Sequence, residues 1–96
     1  MKNPAVHIMT NKTKHVLYTG VTSNLAQRIY QHREGICEGF SKKYHCKTVV
    51  FYQLCDTMIT AITREKQIKK YSRETKEKLI NKANPSWEDL YFEIIS

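Results

Sequence analysis

Two short apolar runs open the chain, Ala5 to Thr10 (AVHIMT) and His15 to Val21 (HVLYTGV), with the polar tetrapeptide Asn11-Lys12-Thr13-Lys14 between them. Both runs are rich in β-branched and aromatic residues, so the pattern predicts a β-hairpin. The period then changes. Leu25, Ile29, His32 and Ile36 recur at helical spacing, and Arg28 lies one turn before His32 on the same side. Thr22-Ser23-Asn24 supplies N-cap chemistry for this helix, which should run to about Glu34 with Gly35 as its stop. Glu38 to His45 (EGFSKKYH) reads as a polar loop. Thr48 to Leu54 (TVVFYQL) is nearly continuous in apolar character and predicts a third, largely buried strand.

A long helix follows, capped by Asp56 or Thr57 and reaching Tyr71. Ser72 can cap another through Ala83, which Asn84-Pro85 would end, and Ser86-Trp87-Glu88-Asp89 reads as one more short helical turn. On the long helix Met58, Ala61, Ile62, Glu65 and Ile68 form a core-facing stripe in which Glu65 is the one acid. A carboxylate on such a stripe is costly unless it is paired or bound to a cation. A salt bridge to Arg28 would be the plain structural explanation, and a metal or catalytic role the functional one. Arg28 and His32, beside Leu25 and Ile29, raise the same question. The elements sum to an α+β domain, a small three-stranded antiparallel sheet flanked by helices.

At 96 residues the chain makes one domain, 1–96, with a single core, and 41% hydrophobic residues suffice to pack it. No apolar stretch approaches the roughly 20 residues of a membrane span, and Met1-Lys2-Asn3-Pro4 begins no signal peptide. The expected location is cytoplasmic. Cys37, Cys46 and Cys55 are odd in number and form no CxxC pair, which favours reduced thiols over a disulfide framework. A zinc site at His45-Cys46 would need two more ligands at suitable spacing, and none is seen. Net charge is +7. Between Arg64 and Lys82 eight Lys/Arg face three Glu, whereas from Pro85 onward the charges are Glu88, Asp89 and Glu93. A basic face of this kind suits a polyanion, although a solvated helix with solubilising lysines would look the same.

Several segments, taken in order, resemble the GIY-YIG nuclease family, specifically the small stand-alone bacterial type similar to the N-terminal nuclease module of the excision-repair incision subunit. Tyr18-Thr19-Gly20 stands at the second motif, and Arg28-Ile29-Tyr30-Gln31-His32 supplies an Arg-xxx-His element. The segments Glu38 to Tyr44, Arg64 to Lys70 and Asn84 to Tyr91 extend the resemblance over nearly the whole chain. One departure stands out. Ala5-Val6-His7 replaces Gly-Ile-Tyr, so an imidazole stands where the family has its first tyrosine.

The resemblance implies a metal-dependent endonuclease acting on DNA, with branched or damaged DNA as one class of target. By it, Glu65 would hold a divalent cation, Mg²⁺ or Mn²⁺. Tyr18 would take a proton from the attacking water, Arg28 would clamp the phosphate, and His32 would orient Tyr18 or share the proton transfer. His7, with an ordinary pKa near 6.5, would replace the first tyrosine and make activity titrate near neutrality. Lys42, Lys43, Lys69, Lys70 and Arg73 would track the DNA backbone without reading sequence, and Asn84 would bond near the leaving group. An accessory protein could supply specificity. The alternative is a non-catalytic nucleic-acid-binding module of the same fold, in which Tyr18 is a core aromatic and His7 a structural histidine.

Overall fold

The computed structural model describes residues 3–36 and 39–96. Strands β1 (Ala5–Thr10), β2 (Leu17–Thr22) and β3 (Thr48–Leu54) form one antiparallel sheet in the order β2-β1-β3. The helices are α1 (Leu25–Arg33), α2 (Phe40–Lys43), α3 (Met58–Lys69), α4 (Arg73–Ala83) and α5 (Tyr91–Ile95). This is the α+β architecture that the alternation of periods predicts.

All six residues of β1 are buried, because the central strand is covered on both faces. Ala5 and Met9 pack with Leu25 and Ile29 of α1, whereas Val6 and Ile8 pack with Ile68 of α3 and Ile80 of α4. Full burial of one such Ile side chain contributes about 1.5–3 kcal/mol. The register of β3 against β1 slips between Ile8 and Met9: Ile8 faces Phe51 but Met9 faces Val49. Val50 is therefore an extra residue in a β-bulge, and it joins Phe51 on the α3–α4 side. The nearly continuous apolar run of β3 reflects this local doubling as well as burial on both faces.

A bulge on an edge strand leaves backbone groups without ladder partners. Here the segment after α4 supplies them. Asn84 Nδ2 donates to the Val50 carbonyl at 3.1 Å and to the Glu88 carbonyl at 2.8 Å, while its Oδ1 accepts from the Glu88 N–H at 3.0 Å. The Leu90 N–H donates to the Val49 carbonyl at 2.9 Å. Residues 86–89 are accordingly not the helical turn their composition predicts, because they run out along β3, and the last helix begins only at Tyr91. Arg33 pairs with Asp89 and lies 4.4 Å from the Tyr91 ring centre, fastening α1 to the same segment.

Helix starts follow the expected chemistry. Asn24, Thr57 and Ser72 accept from Gln27, Thr60 and Thr75 backbone N–H groups at 3.3, 3.1 and 3.2 Å, each cap contributing about 1 kcal/mol. Gly35 sits at φ +70° just past α1, a conformation in which a side chain is strained. Three boundaries differ from expectation. β2 starts at Leu17 rather than His15, because the Val16 N–H is taken by Asn11 Oδ1 and the Val16 carbonyl by Thr10 Oγ1. Ile36 is exposed rather than part of the α1 stripe. The supposed loop 38–45 contains the one-turn helix α2. Cys46 is buried as a small hydrophobe and Cys55 is free, while Cys37 lies outside the described residues. No helix among the described residues is long and apolar enough to cross a membrane.

Replacing Asn84 by Ala removes three hydrogen bonds from a side chain only 6% exposed. The loss should be about 2–3 kcal/mol, since buried backbone partners are left unpaired. Denaturant melts check this, and a variant as stable as the parent would show that water satisfies the bulge unaided.

Candidate active site

The register of the hairpin puts Gly20 opposite His7 and Tyr18 opposite Met9, so Tyr18, Gly20 and His7 share the face covered by α1. From α1 the buried His32 points at the same place. Ring centres of His7 and His32 are 5.7 Å apart, those of Tyr18 and His32 5.4 Å, and those of His7 and Tyr18 6.3 Å. Gly20 makes this cluster possible. A Cβ at position 20 would lie 2.8 Å from His7 Cε1 and 2.9 Å from His7 Nε2, so the imidazole rests against bare backbone.

The cluster is polar and underbonded. His32 Nδ1 shares a 2.7 Å hydrogen bond with Ser41 Oγ of α2, but His32 Nε2 and both ring nitrogens of His7 have no protein partner. Buried polar atoms are seldom left so, and three in one cluster call for a functional explanation. Arg28 adds a positive charge that both imidazoles feel, and no carboxylate among the described residues pairs with it. Burial lowers the His7 pKa to about 3, with the charges of His32 and then Arg28 adding to the effect. Burial, then Arg28, lowers His32 to about 4. Both rings are therefore neutral at physiological pH. The expected titration of His7 near neutrality does not survive this environment, because a dry pocket beside a guanidinium disfavours imidazolium.

Glu65 stands apart. Its side chain is 13% exposed, and its ion pair among the described residues is with Lys69, one turn on, at 3.0 Å. The salt bridge to Arg28 is not formed. The reason is topological: α3 packs on the Val6–Ile8 face, whereas Tyr18, His7 and His32 stand on the Ala5–Met9 face. The helix that carries the carboxylate and the aromatic cluster thus lie on opposite faces of the sheet. Of the apolar stripe containing Glu65, Ala61 and Ile68 are buried while Ile62 reaches the rim.

The basic residues divide by role. Lys42, Lys43, Lys69 and Lys70 are exposed. Arg73 braces the hairpin loop instead, donating to the Lys14 carbonyl at 2.7 Å and to that of His15, and it pairs with Glu77 at 2.8 Å. Asn84 corrects the sequence reading, since its amide is spent on the β3 bulge and is not presented to a ligand. Sequence reasoning missed Ser41, Phe40 and Tyr44. Phe40 and Tyr44 are half-exposed rings that continue from Tyr18. The available signal was an aromatic pair at helical spacing with lysines between, inside a segment read as loop.

A family model described as the GIY-YIG catalytic domain matches residues 3–81. The chain belongs to the GIY-YIG family. This is a nuclease family, and the matched residues include the candidate site around Tyr18, Gly20 and α1. The chain is 35% identical over 86 residues to a UPF0213 protein of Syntrophus aciditrophicus, covering 88% of this chain and 97% of that one. It is 35% identical over 65 residues to a UPF0213 protein of Staphylococcus saprophyticus, covering 68% and 79%. The solution structure of a UPF0213 protein from Bacillus halodurans superposes with a TM-score of 0.56 over 91% of this chain and 92% of that one, at 24% identity, and supports the fold. These names carry no activity.

Two outcomes follow for the GIY-YIG site. Because both imidazoles bind protons more weakly folded than unfolded, the unfolded chain protonates first as pH falls below 6.5. Stability present above that pH is then lost progressively down to the folded values near 4 and 3. Thermal melts across this range should show the loss, and His7→Phe should flatten it; an unchanged slope would place the lost protons elsewhere. Gly20→Ala should cost about 1–3 kcal/mol by driving a Cβ into the His7 ring. A Gly20→Ala protein melting with wild type would mean the ring moves aside freely.

Proposed function

We propose that the chain is a metal-dependent endonuclease that hydrolyses phosphodiester bonds in DNA. Family membership supports nuclease chemistry. The observation that carries the finer reading is the cluster of Tyr18, His7 and His32 with its unpartnered ring nitrogens, and Arg28 beside it.

In this reading Arg28 clamps the phosphate through its planar fork, which no described carboxylate occupies. Tyr18 takes the proton of the attacking water as the new P–O bond forms and the ester P–O bond breaks, and a proton from solvent completes the leaving hydroxyl. His32, held from behind by Ser41, keeps Nε2 turned to the cluster and steadies the water or the phenol. His7 stays neutral and positions water by hydrogen bonding, as the absent tyrosine hydroxyl would. Lys42, Lys43, Lys69 and Lys70 track the backbone.

Glu65 would hold the cation. Among the described residues no cluster of three or more His, Cys, Asp or Glu exists, so a cage built wholly from protein does not fit. A single carboxylate fits Mg²⁺ or Mn²⁺ when phosphate and water complete the shell, provided Lys69 lets go. Bound there, the cation would neutralise charge on the scissile phosphate. A strand lying over the β2 edge would touch Glu65 on one side and Arg28 on the other. Target choice could come from an accessory protein.

The rival is a non-catalytic nucleic-acid-binding module, favoured by the Lys69 that already satisfies Glu65. Calorimetric titration with Mg²⁺ or Mn²⁺, with and without DNA, separates the two, since the rival requires no metal heat. For the nuclease, supercoiled plasmid with either cation should be nicked, and Tyr18→Phe or Glu65→Ala should abolish nicking. Activity surviving both changes would sink the assigned site. His7→Tyr should retain activity, while His7→Phe should lower it up to about 10²-fold. The wild-type rate should show no step from His7 between about pH 6 and about pH 9.

A further inference from the structure

From Tyr18, which packs against the core, a row of rings leads outward to the surface. Tyr18 and Phe40 lie nearly parallel, with centres 6.1 Å apart and planes inclined by 19°. Phe40 and Tyr44, one turn apart around α2, have centres 4.6 Å apart. Phe40 is 47% exposed and Tyr44 40%. Neither belongs to the apolar clusters of the core. Lys42 and Lys43 are exposed between them, and Lys43 Nζ lies 5.5 Å from the Tyr44 ring centre. Ser41, on the opposite side of the same turn, is buried and bonded to His32. The one-turn helix thus anchors its inner side in the cluster and holds its rings outward.

Exposed aromatic faces cost solvation unless something covers them, and the lysines between the two rings favour as cover an anion with flat apolar parts. A duplex offers phosphates but keeps its base faces stacked inside. An unpaired strand offers both, and base-on-ring stacking is tolerant of sequence. We propose that Tyr18, Phe40 and Tyr44, with Lys42 and Lys43, form a stacking platform for unpaired nucleobases beside the candidate active site. The strand led to Arg28 is then single-stranded, as at a flap, fork or loop. The use made of the strand rests on the nuclease reading, but the binding does not.

The test is binding without divalent cations, in EDTA, using a fluorescent single strand of about 12 nucleotides and a blunt duplex of the same sequence. The single strand should bind more tightly. Phe40→Ala and Tyr44→Ala should each weaken single-strand binding about tenfold or more and leave the duplex unaffected. Phe40→Leu, which keeps apolar bulk without a ring, should behave as Phe40→Ala, and Phe40→Trp should bind like wild type. Lys43→Ala should weaken both ligands and reduce the salt slope by about 0.7–0.9. Equal affinity for the two ligands, or wild-type single-strand binding by Phe40→Ala with its melting point unchanged, overturns the platform. A protein that stacks single strands through Phe40 but nicks nothing overturns the nuclease reading and leaves the platform standing. A protein that nicks plasmid while Phe40→Ala binds single strands normally does the reverse.

Discussion

The contact of the His7 imidazole with the bare backbone of Gly20 joins the fold to the site. β1 is the central strand and is shut from water along its whole length, so any polar side chain on it must find a partner or remain unsatisfied. Ile8 and Val6 turn to the helices of one face, and Ala5 and Met9 to α1 on the other. His7 falls between them on the α1 side, where the missing Cβ of Gly20 leaves a slot for its ring. Its nitrogens then meet no protein group. A domain this small pays for that arrangement in stability, and it does so at the junction of both family motifs. Such an arrangement fits a ligand site better than a packing accident.

The same burial decides what chemistry remains open to the histidines. Desolvation and Arg28 hold His7 and His32 neutral, so neither stores a proton at physiological pH. They can still donate one hydrogen bond and accept another, which suits positioning a water more than titrating it. In the proposed nuclease reading, proton transfer is left to Tyr18, whose ring lies 5.4 Å from that of His32. The carboxylate is kept away from this cluster by the sheet itself. α3 packs on the opposite face, and Glu65 pairs with Lys69 rather than with Arg28.

Much of this was legible in the sequence. β1 and β3, the caps Asn24, Thr57 and Ser72, and the extent of α4 follow from local chemistry: β-branched runs, side chains that accept from the first turn, and a proline that ends a helix. The α1 pairing of Arg28 with His32 followed from spacing alone. What failed depended on partners distant in the chain. The Asn84–Leu90 segment reads as another helical turn until β3 acquires a bulge whose carbonyls need donors. Asn84 therefore looked like a ligand-facing amide when it is a structural clamp. Arg73 looked like a free cation, yet the hairpin-loop carbonyls claim it. Neither error could be seen without knowing which backbone groups the tertiary structure leaves unpaired.

The segment Phe40 to Tyr44 failed for a different reason, and the difference bears on function. Its composition is polar enough to read as loop, and four helical residues are too few to display an apolar period. Yet its spacing is not that of a solvated loop. Ser41 turns inward to His32, while Phe40 and Tyr44, four residues apart, turn outward together. A turn selected only to connect α1 with β3 has no need to bury a hydroxyl against the His32 imidazole and display two rings. Nor would a turn selected for solubility set those rings beside Tyr18. The inward serine fixes the geometry of the site, and the outward rings extend that geometry to whatever strand approaches it. One helical turn thus couples the position of His32 to the binding surface. A strand that stacks on Phe40 would load the same element that orients the imidazole, so recognition and alignment would be parts of a single contact.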